Sequence, residues 1–197
     1  MFNVRINIYL LTFFVFLLSQ AFAGETATGR LTAHVDASFS KPDNRLHLNP
    51  AAGFGGGVTY LMGAKLAVGV ETNITKTDRL LDVIGGTNQI EQVLATYSLT
   101  IRYTVLRFFD RLNIKAAGGV GVLQIKQPAH QVSLGALGEI EVPAESSASM
   151  MYRVGIEIEQ VLSSLFAIRI APEMQFANVE GMKRNIYMKG GVSVNIL

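Results

Sequence analysis

From residue 30 onward, apolar and polar residues alternate with a period of two, broken at intervals by turn-forming residues. The alternation predicts eight strands, at about 30–40, 52–62, 64–74, 93–105, 112–125, 150–161, 166–177 and 186–197. The connectors between them alternate in length. Residues 41–51, 75–92 and 126–149 make long loops, whereas Gly63, 106–111 and 162–165 make short turns, and 178–185 is intermediate. In an up-and-down antiparallel meander, odd connectors fall at one end and even ones at the other. Long loops therefore gather at one end and short turns at the other. No run after residue 23 approaches the ~18–20 uninterrupted apolar residues of a membrane helix.

One face of every predicted strand is free of charge, as in Leu31, Ala33, Val35, Ala37, Phe39 or Phe166, Ile168, Ile170, Pro172, Met174, Phe176. The other face holds Asp36, Lys65, Glu71, Arg102, Lys115, Arg153, Glu157, Glu159, Arg169, Glu173 and Lys189. Alternation alone does not say which face points inward, since a lipocalin-type soluble barrel carries the same stripe with its apolar side around a ligand. Side-chain size separates the two. The charged face is crowded with Gly53, Gly55, Gly57, Gly69, Gly119, Gly121, Gly155, Gly191 and several alanines, where a water-facing surface would carry long Lys and Glu chains. Small residues among a few large ions suit a narrow, filled interior. On the apolar face, Phe39, Phe54, Tyr97, Tyr152 and Phe176 lie towards the long loops and Tyr60, Tyr103 and Phe166 towards the short turns, as two interfacial girdles would. The pattern predicts an all-β fold, an eight-stranded antiparallel up-and-down transmembrane β-barrel.

The first residues belong to another class. Arg5 is the only charge before Glu25, residues 8–18 are almost wholly apolar, and Ser19-Gln20-Ala21-Phe22-Ala23 follows with small residues at 21 and 23. This reads as a secretory signal peptide over 1–23, leaving 24–197 for the barrel domain. Composition narrows the rest. The 197 residues are 49% hydrophobic and 16% charged, which excludes a disordered or collagen-like chain. There is no cysteine, which removes disulfides, a lipid-anchored cysteine and thiolate metal sites. A formal net charge of +2 gives no reason to expect nucleic acid as a partner. The glycine runs 53–57 and 118–121 have neither a following helix nor the Lys-Ser/Thr end of a nucleotide loop, so no cofactor is expected.

With its leader, eight stripes, loop alternation and final Gly190-Gly191-Val192-Ser193-Val194-Asn195-Ile196-Leu197, the chain resembles the small eight-stranded outer-membrane barrels of the OmpA/OmpX type, in the form without a periplasmic domain. The resemblance implies a protein of the Gram-negative outer membrane. Its partners would be outer-membrane lipid and lipopolysaccharide, with an unknown surface partner at loops 75–92 and 126–149, and its interior would be plugged by charged side chains. Two departures stand out. Family members usually end in an aromatic residue, whereas this chain ends in Leu197 with its apolar alternation one residue out of phase. Pro172 lies mid-strand without an N–H to donate, so a bulge is expected there.

Candidate chemistry is sparse. His34 beside Asp36 underfills a metal site and reads better as a hydrogen-bonded interior pair. Acyl-transfer sets drawn from His130, Ser133 and Glu139 or Glu141, or from Asp43 and His47, have no constraining spacing, and no catalytic residue is expected. Thr77 and Gly85 bracket a short helix in the second long loop, and residues 131–134 and 139–142 a hairpin in the third. The interior set is the clearest feature. Arg102, Lys115, Arg153, Arg169 and Lys189 balance Asp36, Glu71, Glu157, Glu159 and Glu173. A turn centred on Ser163 sets Arg153 across from Glu173 and Glu157 across from Arg169, and one centred on Gly181 sets Lys189 across from Glu173. Glu71 is expected opposite Thr96. The functional expectation is a structural or surface-interaction barrel. A soluble periplasmic barrel for an apolar ligand and a lipid A-modifying enzyme are the alternatives.

Overall fold

The computed structural model describes residues 29–43, 48–62, 65–83, 86–109, 111–133, 138–179 and 182–196. The proposed leader and His47 lie outside them. The strands are β1 (Arg30–Pro42), β2 (Ala51–Met62), β3 (Leu66–Val83), β4 (Gly86–Phe108), β5 (Leu112–Gln127), β6 (His130–Ser133), β7 (Glu139–Val142), β8 (Glu145–Val161), β9 (Phe166–Val179) and β10 (Met182–Asn195). Eight of them close an antiparallel barrel in the order β1-β10-β9-β8-β5-β4-β3-β2, and β6 and β7 form a separate two-stranded sheet. Every barrel strand pairs with its neighbours in the barrel order, β1 and β10 meeting across the closure, so no edge is left open.

The apolar face points outward. Val35, Phe54, Tyr152, Val154, Ile168, Ile170 and Val192 are exposed, while their alternating neighbours Asp36, Arg153, Arg169 and Ser193 are buried. The lumen is filled in layers. Charged residues occupy its middle, and a polar layer follows, in which Ser38 donates to Asn73 (2.9 Å) and Asn73 to Thr75 (3.2 Å). Nearer the long loops, Leu94, Leu123, Ile125, Met151 and Ala177 pack into an apolar plug. This is not the apolar ligand chamber of a lipocalin-type barrel.

Several local expectations are corrected. Residues 77–83 are strand, not helix: Thr77 sits opposite Gln92, and pairing continues to Val83 opposite Gly86. A short helix standing alone is marginal, whereas each added rung of a hairpin satisfies two residues' backbone groups. In the third long loop the expected hairpin is present, with Gln131 opposite Glu141 and Val132 opposite Ile140. Pro172 causes no bulge. Its pairing with Met188 lies in an unbroken register with β10, and the missing donor shows on the other side. There the β8–β9 ladder steps from Gly155–Glu173 to Ile158–Ile170 without rungs between. Register shifts lie elsewhere, between Thr104 and Leu106 of β4 and between Met182 and Arg184 of β10. Tyr60 is buried, with its ring against Gly29, and the turn-side girdle is supplied by Tyr103, Phe108, Phe109 and Phe166.

Candidate functional site

Strand parity carries Asp36 (β1), Glu71 (β3), Arg102 (β4), Lys115 (β5), Arg153, Glu157 and Glu159 (β8), Arg169 and Glu173 (β9) and Lys189 (β10) to the lumen. All ten join one connected set of ion pairs. Glu71 lies at its centre: one carboxylate oxygen meets Arg102, Arg169 (3.4 Å) and His34 (3.2 Å), the other Arg153 and Lys189 (3.2 Å). Glu157 accepts from Arg102 Nε (2.9 Å), Lys115 (3.1 Å) and Arg169 Nη1 (3.0 Å). Asp36 takes a bidentate pair from Arg169, Nε and Nη2 each at 2.8 Å. Glu173 lies between Arg153 and Lys189, the latter at 3.0 Å. Glu159 holds Lys115 at 2.8 Å and accepts from Asn113 at 3.1 Å, where the set thins towards the short-turn end.

Hydroxyls complete the shell. Arg102 Nη1 donates to Thr59 (2.7 Å) and Arg153 Nη1 to Ser98 (2.9 Å). Glycines make the room. A Cβ on Gly57 would stand 2.9 Å from Glu71 Cγ and 3.0 Å from His34 Cε1, and one on Gly191 would strike Asp36 Oδ1. Five guanidinium and ammonium groups face five carboxylates with His34 among them, so the set balances without solvent. Buried charge is tolerable only on those terms.

The register differs by two residues from the one the turns imply. Arg153 is opposite Gln175, Glu159 opposite Arg169 and Lys189 opposite Ala171, so the contacts of Glu173 with Arg153 and Lys189 are diagonal. A two-residue slip keeps each side chain on its face, and long cations reach the diagonal neighbour. Glu71 is opposite Ser98, not Thr96. Its central place was not visible in the sequence, because it follows from residues on five other strands converging across the lumen. His34 is drawn into the same set, 3.8 Å from Asp36. Arg107 was also missed. The bulge after Thr104 reverses parity and aims its guanidinium inward, where Nε donates to Asn113 (3.1 Å). The adjacent apolar pair Val105-Leu106, both outward and exposed, was the available signal.

Of the other candidates, His47 lies outside the described residues, and the register of the third-loop hairpin sets His130 apart from Ser133 and Glu139. His130 Nδ1 lies 3.1 Å from the Pro128 carbonyl oxygen, and His130 stands opposite Val142, at the far end of its short hairpin from the Ser133–Glu139 pair. Among the described residues no group of three or more His, Cys, Asp or Glu has the arrangement of a metal site.

No protein-family model matches the sequence, and no curated protein does. Solved structures do match in fold. A major outer membrane protein from Thermus thermophilus superimposes with a TM-score of 0.62 at 12% identity, covering 86% of this chain and 100% of that one. The N-terminal β-barrel domain of Pseudomonas aeruginosa OprF gives 0.53 at 14% identity, over 86% and 100% of the two chains. Neisserial surface protein A gives 0.53 at 11% identity, over 86% and 98%. With the closed order of eight antiparallel strands and the outward apolar belt, these matches show that the chain has the fold of the small eight-stranded outer-membrane β-barrels.

Proposed function

We propose that this chain is exported by residues 1–23 and resides in the outer membrane as a closed barrel, 24–197, with no through-channel and no catalytic role. Its work is structural, or is surface interaction through the long loops. The observation that carries this reading is the pairing of an exposed apolar belt with a charge-balanced lumen. An apolar belt of this kind in water would aggregate, whereas against lipid tails it is stable. The lumen has no such need of lipid and is satisfied by its own ions. Lipid and lipopolysaccharide are therefore the proposed contacts of the belt and rim.

The surface role rests on the loop end. β3 and β4 are 18 and 23 residues long, against the ~9–11 a strand needs to cross a bilayer, so their hairpin stands well clear of the membrane. The first loop is fastened to it: Thr77 donates to the Asn49 carbonyl (2.7 Å) and the Asn49 N–H to the Asp78 carbonyl (2.9 Å). In these two loops the described residues 75–83 with 86–92, and 130–133 with 139–142, pair as strands, which supports a firm surface for a partner. The test is fractionation of cells followed by gel migration with and without boiling. Folded barrel in isolated outer membranes, with a heat-dependent shift in migration, is the expected result. Recovery in the soluble periplasmic pool without detergent would reject the reading.

A further inference from the structure

The two ends of the lumen differ. Towards the long loops it holds the apolar cluster, whereas towards the short turns it contains a cavity of about 220 Å³ lined mostly by polar residues. Arg30 and Arg107 line this cavity, together with Thr32, Asn113, Ser163 and Lys115. The two carboxylates that also line it are already engaged, Glu157 by three cations and Glu159 by Lys115 and Asn113. Arg30 and Arg107 stand outside the balanced set, and among the described residues neither has an acidic partner within 4.0 Å. Arg107 is there because of the β4 bulge. Without the extra residue, Leu106 would face Asn113 and the guanidinium would point away from the lumen. Bulges of this kind re-aim a side chain at a site. Its single internal bond, Nε to Asn113, orients the guanidinium and leaves both Nη groups for a guest.

We propose that this turn-end cavity binds a small oxyanion of the phosphate class, held chiefly by Arg107 with Arg30 as second cation and the lining hydroxyl and amide groups as further donors. Planar guanidinium groups favour phosphate oxygens, and a site flanked by neutralised carboxylates favours a guest that brings its own negative charge. Free phosphate and the phosphate of a lipid headgroup share this chemistry. The proposal goes beyond the membrane reading and does not need it, since the cavity belongs to the barrel in any solvent that keeps it folded.

The test uses the full chain folded in dodecyl maltoside, a detergent without phosphate. It is titrated with inorganic phosphate at fixed ionic strength and followed by NMR of the Arg107 and Asn113 side chains. A saturable shift at both is expected. Arg107→Gln should weaken it about tenfold, Arg30→Gln should weaken it less, and Lys76→Gln at the opposite end should leave it unchanged. A parallel titration with short-chain phosphatidylglycerol distinguishes the sources: tighter binding that phosphate displaces assigns the headgroup, and equal binding assigns a general oxyanion site. Retention of the heat-dependent gel shift shows that each variant is folded. Failure of both probes to saturate in the folded wild type, or unchanged affinity in Arg107→Gln, would overturn the proposal while leaving the membrane reading intact.

Discussion

Loss of the Glu71 carboxylate would leave Arg102, Arg153, Arg169 and Lys189 each short of an acceptor deep in the lumen. Loss of Glu173 strips only Arg153 and Lys189, both of which keep Glu71. Stranding a buried ion costs about 3–5 kcal/mol when its partner is removed. Each of the four cations on Glu71 keeps a second carboxylate, so we predict that Glu71→Ala destabilises the barrel by up to about that much, and by more than Glu173→Ala because four cations rather than two lose an acceptor. Urea unfolding in lipid vesicles, read by tyrosine fluorescence or gel migration, checks the order; a larger loss for Glu173→Ala would contradict it. The turn-centred register, which sets both Arg153 and Lys189 across from Glu173 and only Thr96 across from Glu71, implies the opposite order, because cross-strand neighbours can be inferred from turns but convergence through a lumen cannot. Glycine supplies a second test at this scale. Gly57→Val, pressing on Glu71 and His34, should cost about 1–3 kcal/mol as overpacking, measured in the same assay.

Strands were the most legible elements, since a period of two both marks a strand and assigns its faces. Each of the eight predicted segments overlaps an observed barrel strand, and the charged face is the buried one. What was not legible depends on partners. Pairing lengthened β3 and β4 through residues 75–83 and 86–92, where local capping signals read as a helix. The Val105 bulge altered parity for three residues and hid Arg107. Pro172 was read as a bulge because its backbone lacks a donor, yet the sheet absorbed the defect as two absent rungs between β8 and β9. Parity gives a prediction for these same strands. Val154→Lys or Ile168→Lys, each on the exposed apolar face, should cost about 2–4 kcal/mol in a bilayer near its midplane. Folding titrations in vesicles that show both variants equal to wild type would contradict the assignment of that face.

At the scale of the whole molecule, the described barrel is apolar outside, ionic in the middle, packed with apolar side chains towards its long loops and lined by cations around a cavity at its short turns. Across its middle an eight-stranded lumen has little space beyond its side chains, and here those side chains pair among themselves. Planar-bilayer recordings should therefore show no large, steady conductance; uniform wide-channel steps would contradict a filled lumen. The most direct measurement asks which methyl groups meet lipid. The chain is incorporated in nanodiscs carrying lipids with a nitroxide on the acyl tail, and methyl NMR signals are compared with and without it. We predict strong broadening at Val154, Ile168, Ile170 and Val192, with Leu94, Leu123, Ile125 and Met151 left sharp. Sharp signals from the first group and broadened ones from the second would mean that the barrel faces its surroundings the other way round, and would contradict a lipid-facing apolar belt.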